Sequence, residues 1–399
     1  MIDFGYQCSD CNTPYNLEPG LYLCPECSKT GREDQPPRGI LEVRLNGRWQ
    51  PDAPISRLLP FADHHPKLPI GNTPLHHGGR LAKKLGLERL YIKDDTVNLT
   101  ASYKDRASML IAASARYWGF DEITVASTGN AGSSMAGVGA ATGLKINLFL
   151  PETAPPAKMI QALQYGARVI PVKGNYDMAY DLSLAYTAKF GGLNRNTAVN
   201  PLTIEGKKTV SPEIFCQLGR TPDYIFVPTG DGAIISGVYK GFKDLMAMGL
   251  ISEMPCMIAV QAEGSNAIEQ ALKTGEFKPI NSHTAADSIC IDIPRGGNYA
   301  LKCLKKYKGM AISVSDEAIF EAQTLVARYT GHFCEPAAAA SFAGLLALGE
   351  TIPKSATVVC LSTGHGLKDP GGAQRGIQMP QHAISGLDEL ENTVSTGSE

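Results

Sequence analysis

Short apolar runs alternate with longer Ala-rich stretches between residues 71 and 370, and Gly-rich turns separate them. The short runs contain many β-branched residues and predict buried strands at 90–93, 123–126, 146–150, 168–172, 224–227, 257–261, 311–314 and 357–361. The longer stretches predict helices at 103–117, 131–142, 158–165, 177–190, 208–218, 234–248, 316–329 and 335–348. Repeated strand, turn and helix are typical of parallel sheets covered on both faces, which bind ligands at the carboxyl ends of their strands.

The chain divides into segments of different pattern. Residues 1–32 contain four cysteines and short aromatic runs, whereas residues 33–70 are polar and rich in proline, which predicts a linker packed against the next domain. Residues 71–380 hold the alternating strands and helices. Residues 381–399 end in small polar side chains and predict a frayed tail.

Composition and charge argue against several classes of protein. The 399 residues include 37 Lys and Arg against 39 Asp and Glu, a formal net charge of −2, whereas binding to nucleic acid or a membrane surface relies on a basic excess. No apolar run reaches the roughly 18 residues of a membrane span, and the amino terminus lacks the pattern of a signal peptide. We therefore expect a cytoplasmic globular protein with reduced cysteines.

Four cysteines near the amino terminus, Cys8, Cys11, Cys24 and Cys27, follow the pattern C-x2-C-x12-C-x2-C. Two such pairs can surround a zinc ion, and the gap between them is long enough for a hairpin. Four unrelated thiols or a redox pair are the alternatives. The pattern predicts a zinc-ribbon-like segment with a structural zinc, because four thiolates leave no position for water.

Lys104 lies in a polar turn that leads into a predicted helix. The helix dipole disfavours a positive charge there, and a lysine with a lowered pKa suits imine chemistry, because only the neutral amine attacks a carbonyl. A solvated surface lysine paired with Asp105 is the alternative.

Three further loops follow predicted strands. Residues 127–134 carry Asn130, which can donate to a ring oxygen or a carboxylate. Residues 228–237 form a Gly-rich turn of the kind that binds phosphate, although they match neither a P-loop nor a nicotinamide fingerprint. Residues 361–370 carry Thr363, whose hydroxyl could meet a ring nitrogen, and His365, which is either catalytic or fixes a turn. Each loop alone is compatible with an ordinary turn, but together with Lys104 they describe a pyridoxal phosphate site.

Over roughly residues 1–380 the chain resembles the threonine synthase family of fold type II pyridoxal-phosphate enzymes. The motifs that carry the resemblance, in the family's order, are GNTPL at 71–75, SYKDRAS at 102–108, STGNAGSS at 127–134, VNPLTIEGKKT at 199–209 and TGHGLKDP at 363–370. The amino-terminal zinc-ribbon-like segment also occurs in some members. The resemblance implies two open, twisted, mostly parallel α/β domains, interleaved within residues 71–380, with the cofactor in the cleft between them.

The resemblance also implies roles for the site residues. Lys104 would bind the cofactor covalently, Asn130 would contact its ring oxygen and Thr363 would face its pyridine nitrogen. The phosphate would be held by the backbone of Gly230, Asp231, Gly232 and Ala233. A hydroxyl at the ring nitrogen leaves that nitrogen uncharged, which favours elimination and replacement over transamination.

The chain departs from the family where the phosphate of O-phosphohomoserine is bound. A threonine, a serine, an arginine and an asparagine of the family are replaced by Ala131, Ala198, Thr203 and Ile234. The lost guanidinium removes a bidentate clamp, and Asp231 adds a carboxylate near an anion site. Lys207 or Lys208 could replace the clamp.

Two activities follow from these features. The first is that of a threonine synthase, a carbon–oxygen lyase that converts O-phospho-L-homoserine and water to L-threonine and phosphate. The second is a β-eliminating ammonia-lyase of the threonine or serine dehydratase type, or a β-replacement enzyme, which needs no second phosphate clamp. A non-catalytic zinc-ribbon module would require the set around Lys104 to be accidental. We expect the first activity, with a small amino acid as substrate. A homodimer is a possible assembly of the chain.

Overall fold

The computed structural model describes residues 2–154, 156–380 and 383–389. The strands are β1 (Asp3–Cys8), β2 (Pro14–Tyr15), β3 (Leu41–Asn46), β4 (Leu75–His77), β5 (Arg89–Asp94), β6 (Glu122–Ala126), β7 (Lys145–Pro151), β8 (Arg168–Val172), β9 (Leu193–Asn194), β10 (Tyr224–Pro228), β11 (Cys256–Ala262), β12 (Met310–Val314) and β13 (Thr357–Ser362). The helices are α1 (Gly79–Leu85), α2 (Asp105–Trp118), α3 (Asn130–Thr142), α4 (Pro156–Gln164), α5 (Tyr176–Phe190), α6 (Pro201–Lys207), α7 (Val210–Leu218), α8 (Ala233–Ala247), α9 (Ala267–Thr274), α10 (Gly297–Lys306), α11 (Asp316–Thr330), α12 (Pro336–Leu348) and α13 (Pro370–Gln374).

The described strands form three sheets. A small antiparallel sheet has the order β2-β1-β3, a six-stranded sheet the order β12-β11-β10-β13-β5-β4, and a four-stranded sheet the order β8-β7-β6-β9. The four-stranded sheet is parallel throughout, and in the six-stranded sheet β4 alone is antiparallel to its neighbour. Because β6 to β9 lie between β5 and β10 in the sequence, the chain leaves the larger sheet, builds the smaller one and returns.

Each of the eight predicted strands lies within an observed strand, and each predicted helix overlaps an observed one. The expected α/β class with mostly parallel sheets is therefore confirmed. Elements that the pattern did not predict are mostly short: β9 has two residues and α6 has seven. Runs of that length are too short to show a strand or helix period.

The segment at 33–70 differs from the predicted linker. It contains β3, which pairs with β1 along its whole length, from Asp3 opposite Asn46 to Cys8 opposite Leu41. The expected boundary at residue 32 therefore divides the cysteine-bearing sheet. Proline and polar residues flank β3 on either side. Because β3 has only six residues, the pattern of the whole segment predicted a linker and not a strand.

The centre of the larger sheet explains why its strands read as continuous apolar runs. Strand β13 is buried along its whole length, since helices cover both faces. On one face lies α12, an Ala-rich helix whose residues 336–345 are all buried. At Gly344 an added side chain would collide with Val260 of β11, so small residues let this helix approach the sheet closely. The approach places Glu335, which precedes α12, at the carboxyl edge of the sheet.

None of the helices in the described ranges is both long enough and apolar enough to cross a membrane. The predicted frayed tail falls largely outside the described residues, since 381–382 and 390–399 are not among them. The short described part, 383–389, ends in a single 3-10 turn at Leu387–Glu389.

Candidate active site

A cavity of about 400 Å³ lies where the carboxyl ends of the two parallel sheets meet. Its wall contains Lys104, the loop after β6, the loop after β10 and residues of the segment 287–295. Lys104, Asn130, Gly230, Asp231 and Gly232 all line it, so three of the four predicted loops converge on one site, whereas the loop at 361–370 contributes none of the described lining residues. A larger cavity of about 640 Å³ lies along α11 and contains none of the predicted site residues.

Lys104 immediately precedes α2 and is held by the loop after β13. The N–H of Tyr103 donates to the carbonyl oxygen of Thr363 at 2.8 Å, and the N–H of His365 donates to that of Ala101 at 3.1 Å. Burial lowers the pKa of Lys104, Arg195 lowers it further, and Asp231 and Glu335 oppose the shift. The sequence indicated a lowered pKa from the helix dipole, whereas burial is the main cause. The shift favours the neutral amine that attacks a carbonyl.

Asn130 begins α3 and contacts a residue that the sequence did not single out. Its Nδ2 donates to Oε1 and Oε2 of Glu335, each at 3.0 Å, although the two residues are 205 positions apart. Burial raises the pKa of Glu335, and the Asn130 amide and the lysines around it lower it. Glu335 precedes Pro336 at the start of a helix, which is the only local signal it carries.

The Gly-rich loop after β10 has the backbone geometry of an anion site. Gly232 adopts φ +85°, and a side chain on Gly230 would come within 2.8 Å of the backbone of Ile289. In the described part of the chain, the N–H groups of Gly230, Asp231 and Gly232 have no hydrogen-bond partner. The N–H of Ala233 donates to Oδ1 of Asp231 at 2.8 Å. The Asp231 side chain therefore points back to the start of α8 and occupies one of the predicted phosphate donors.

Thr363 and His365 differ in their surroundings. Thr363 follows β13, is buried, and lies outside the described residues that line the cavity. The Nδ1 of His365 accepts from the N–H of Leu367 at 3.1 Å, and its ring meets Phe333 edge-on. These contacts are those of a histidine that fixes a turn, one of the two roles that the sequence left open.

The four positions that the resemblance predicts to lack the family's phosphate ligands have different surroundings. Ala131 and Ile234 line the cavity, and Ala198 is buried with φ +65°. The hydroxyl of Thr203 donates to the carbonyl oxygen of Asn200 at 2.8 Å and accepts from the N–H of Ala198 at 3.3 Å. The Thr203 hydroxyl is thus used within its own turn.

The structure separates the two lysines that could replace the lost clamp. Lys208 is ion-paired with Glu205, and with Asp244 at 2.7 Å, in a buried network that holds α6 to α8. The Nζ of Lys207 donates to the carbonyl oxygen of Thr203 at 3.1 Å. Burial, followed by the charges of Arg195 and Lys104, lowers its pKa far below the usual value. Lys207 therefore lies near the site, whereas Lys208 serves the core.

Arg195 is a second residue that the sequence analysis missed. It follows β9, and its backbone N–H extends the sheet by donating to the carbonyl oxygen of Thr124 at 2.8 Å. Its side chain is fully buried and donates from Nη1 to the hydroxyl of Thr197, a cavity residue, at 2.6 Å. A strand of two residues gives no sequence signal that would place an arginine at a sheet edge.

The four cysteine sulfurs form a group within the small antiparallel sheet. The Sγ atoms of Cys8, Cys11, Cys24 and Cys27 all lie within 4.8 Å of one another, and those of Cys11 and Cys24 are 3.8 Å apart. A zinc tetrahedron with Zn–S bonds of about 2.3 Å has edges of about 3.8 Å, so the spacing fits that ion.

Comparison with known proteins extends these observations. The family model described as "Pyridoxal-phosphate dependent enzyme" matches residues 67–364. Threonine synthase of Methanocaldococcus jannaschii is 36% identical over 391 residues, covering 94% of this chain and 95% of that protein. Threonine synthase of Halalkalibacterium halodurans is 38% identical over 352 residues, covering 84% and 96%.

A comparison of structures shows the same fold. Threonine deaminase isoform 2 of Solanum lycopersicum matches with a TM-score of 0.67 and covers 86% of each chain, at 21% identity. Identity at that level shows a common fold and carries no information on the substrate.

Proposed function

The chain belongs to the threonine synthase family of pyridoxal-phosphate dependent enzymes, and on this premise we propose that it converts O-phospho-L-homoserine and water to L-threonine and phosphate. The observation that carries the proposal is Lys104, a lysine of lowered pKa that lines a cavity between two parallel sheets. A surface lysine paired with Asp105 would have neither property.

The residues present fit the cofactor. Lys104 would bind it covalently, and Asn130, oriented by Glu335, would contact its ring oxygen. The free N–H groups of Gly230, Asp231 and Gly232 would bind its phosphate. Thr363 would face the ring nitrogen from the end of β13. The cofactor, when bound, supplies an electron sink for the α-carbon of the amino acid.

The protein's own groups would then move protons and orient the bound molecules. Nζ of Lys104 would accept and return protons at the substrate carbons, because its lowered pKa keeps a fraction of the amine neutral. The buried Glu335 carboxylate fixes the orientation of Asn130 through two hydrogen bonds. The narrow cavity holds the amino acid between the two sheets.

A β-eliminating ammonia-lyase is the second candidate, and a specific observation favours it. Ala131, Ala198 and Ile234 offer no side-chain donor where the family binds the substrate phosphate, and the Thr203 hydroxyl is engaged in its own turn. An enzyme for threonine or serine would need no such donors.

We also propose that the four cysteines hold one structural zinc ion, because their sulfurs lie at tetrahedral spacing. We further propose a cytoplasmic location, where cysteines that bind a metal stay reduced. A homodimer remains a prediction that sedimentation equilibrium can test.

The proposed activity is tested by offering O-phospho-L-homoserine, L-threonine and L-serine in parallel to the cofactor-loaded enzyme. We expect threonine and phosphate in equal amounts from the first substrate, and only slow formation of ketoacid from the other two. Rapid ketoacid formation from threonine or serine, without threonine from the phosphorylated substrate, would establish the ammonia-lyase instead.

A further inference from the structure

Arg195 carries a buried charge that the folded chain only partly satisfies. Its side chain has no exposure to solvent, and Nη1 donates to the hydroxyl of Thr197 at 2.6 Å. Its Nε and Nη2 have no hydrogen-bond partner among the described residues. Buried guanidinium groups are normally paired, so this one is available for a ligand that brings its own acceptors.

Arg195 lies directly beside the cavity. It follows β9, the neighbour of β6, whereas the loop proposed to hold the cofactor phosphate follows β10 of the other sheet. Its partner Thr197 lines the cavity, as does Tyr176, which is close enough to raise the pKa of Arg195. Arg195 is not itself among the described residues that line the cavity, but its guanidinium contacts Thr197, which is, and it lies within electrostatic range of Asp231 in the Gly-rich loop.

The electrostatic surroundings favour an anionic ligand. Burial lowers the pKa of Arg195 to about 10, so the group stays protonated at neutral pH. Lys104 and Lys207 are close enough for Arg195 to lower their pKa values, and Asp231 is the acidic neighbour common to all three. Asp105 also faces Arg195 and Glu335 also faces Lys104, so the charge left for a ligand is that of the Arg195 guanidinium, with Lys207 as a further hydrogen-bond donor.

We propose that Arg195, assisted by Lys207, binds the phosphate of the substrate and so replaces the arginine that the family has at the position of Thr203. This assignment rests on the proposed function for the identity of the substrate. The planar guanidinium group has two nitrogens without a partner among the described residues, and these can donate to two oxygens of a phosphate monoester. A neutral hydroxyl of threonine or serine would leave the charge unpaired.

The test compares Arg195→Met and Arg195→Gln, made in the cofactor-loaded enzyme, with the wild type and with Arg195→Lys. Inorganic phosphate is titrated against the melting temperature of each protein, and KM and kcat are measured with O-phospho-L-homoserine. We expect phosphate affinity to fall and KM to rise by about 30-fold or more in the Met and Gln variants, as when one member of a buried charge pair is removed. Arg195→Lys should recover part of the phosphate affinity and part of the KM, because lysine keeps the positive charge but cannot form two parallel hydrogen bonds.

Two further readouts separate ligand binding from a structural role. Without phosphate, the melting temperature of Arg195→Met stays level or rises, because the substitution removes an unpaired buried charge. Arg220→Met is the control, since this exposed arginine is paired with Asp223 and lies outside the residues that line the cavity. It should change phosphate affinity by less than about threefold.

Several outcomes would overturn the assignment. One is unchanged phosphate affinity and KM in both the Met and the Gln variant. Another is a lowered melting temperature of both variants without phosphate. A third is loss of the cofactor on purification, which would assign Arg195 to the cofactor phosphate. A wild type that makes no threonine from phosphohomoserine would refute the proposed function alone. The phosphate titration would then still decide whether Arg195 binds an anion.

Discussion

The guanidinium of Arg106 and the carboxylate of Glu213 form a two-pronged ion pair with almost no exposure to solvent. Nη1 lies 2.6 Å from Oε1 and Nη2 lies 2.8 Å from Oε2. Asp95 accepts from Nε of the same guanidinium at 2.6 Å, so one arginine joins the end of β5 to α2 and α7. Because Lys104 lies two residues before Arg106, this pair fixes the position of the lysine in the cavity.

We first predict that Glu213→Gln lowers the free energy of unfolding by about 3–5 kcal/mol, because it leaves buried positive charge without its partner. Lys93, also buried, loses the same carboxylate, which lies 2.7 Å from its Nζ. Chemical denaturation of wild type and variant measures the difference. Glu26→Gln is the control, since its pair with Lys29 is exposed and its loss should not be measurable. An equally small loss in Glu213→Gln would contradict the role given to the pair.

The same carboxylate predicts how stability depends on pH. Burial by itself would raise the pKa of Glu213, but Arg106 and Lys93 outweigh it and lower the pKa to about 2. A carboxylate whose pKa is depressed in the folded state stabilises the protein above its unfolded value of about 4.3. The stabilisation is lost as the pH falls from there towards 2. Glu213→Gln should flatten the fall in stability over this range, and an unchanged slope would contradict the shift.

The second prediction concerns Lys104. The purified protein should absorb visible light through its bound cofactor, and Lys104→Ala should abolish both turnover and covalent retention of the cofactor after borohydride treatment. Lys145→Ala, which removes an exposed lysine paired with Asp121, should retain both. An active Lys104→Ala protein would refute the assignment of the site.

The third prediction concerns the four cysteines. Metal analysis should find about one zinc per chain, and Cys24→Ser should lower stability more than kcat, because a site closed by four thiolates takes no part in the reaction. Cys216→Ser, at an exposed thiol on α7, should keep the full zinc content. Zinc that remains in a variant lacking all four cysteines would place the metal elsewhere.

The fourth prediction separates two adjacent lysines. Lys207→Met should raise KM for the phosphorylated substrate by about tenfold or more, as expected when a hydrogen-bond donor is removed from an anion site. The variant should lose little stability, because Nζ of Lys207 donates to a single carbonyl oxygen, that of Thr203. Lys208→Met should instead lower the free energy of unfolding by about 3 kcal/mol, since it breaks buried pairs with Glu205 and Asp244. Unfolding curves and steady-state kinetics of both variants check this, and equal effects on KM would contradict it.

Local patterns predicted much of this molecule. The strands of both parallel sheets were identified from apolar runs, since a strand covered on both faces has few polar positions. The spacing of the four cysteines predicted that their sulfurs lie together, as the structure shows. The turn around Lys104 predicted a site lysine, and Lys104 lines the cavity. In each case the contributing residues are close in sequence, so their spacing determines their geometry.

The balance of charge in the cavity was decided by the tertiary structure alone. The bond between Asn130 and Glu335 joins residues 205 positions apart, and Arg195 became important only because folding buried it with two nitrogens unpartnered among the described residues. Lys207 and Lys208 are adjacent in sequence, yet one lies near the active site and the other within an ion-pair network. The free energy of a charge depends on its burial and on the distances to other charges. Sequence separation sets neither of these, whereas the packing of the two sheets sets both.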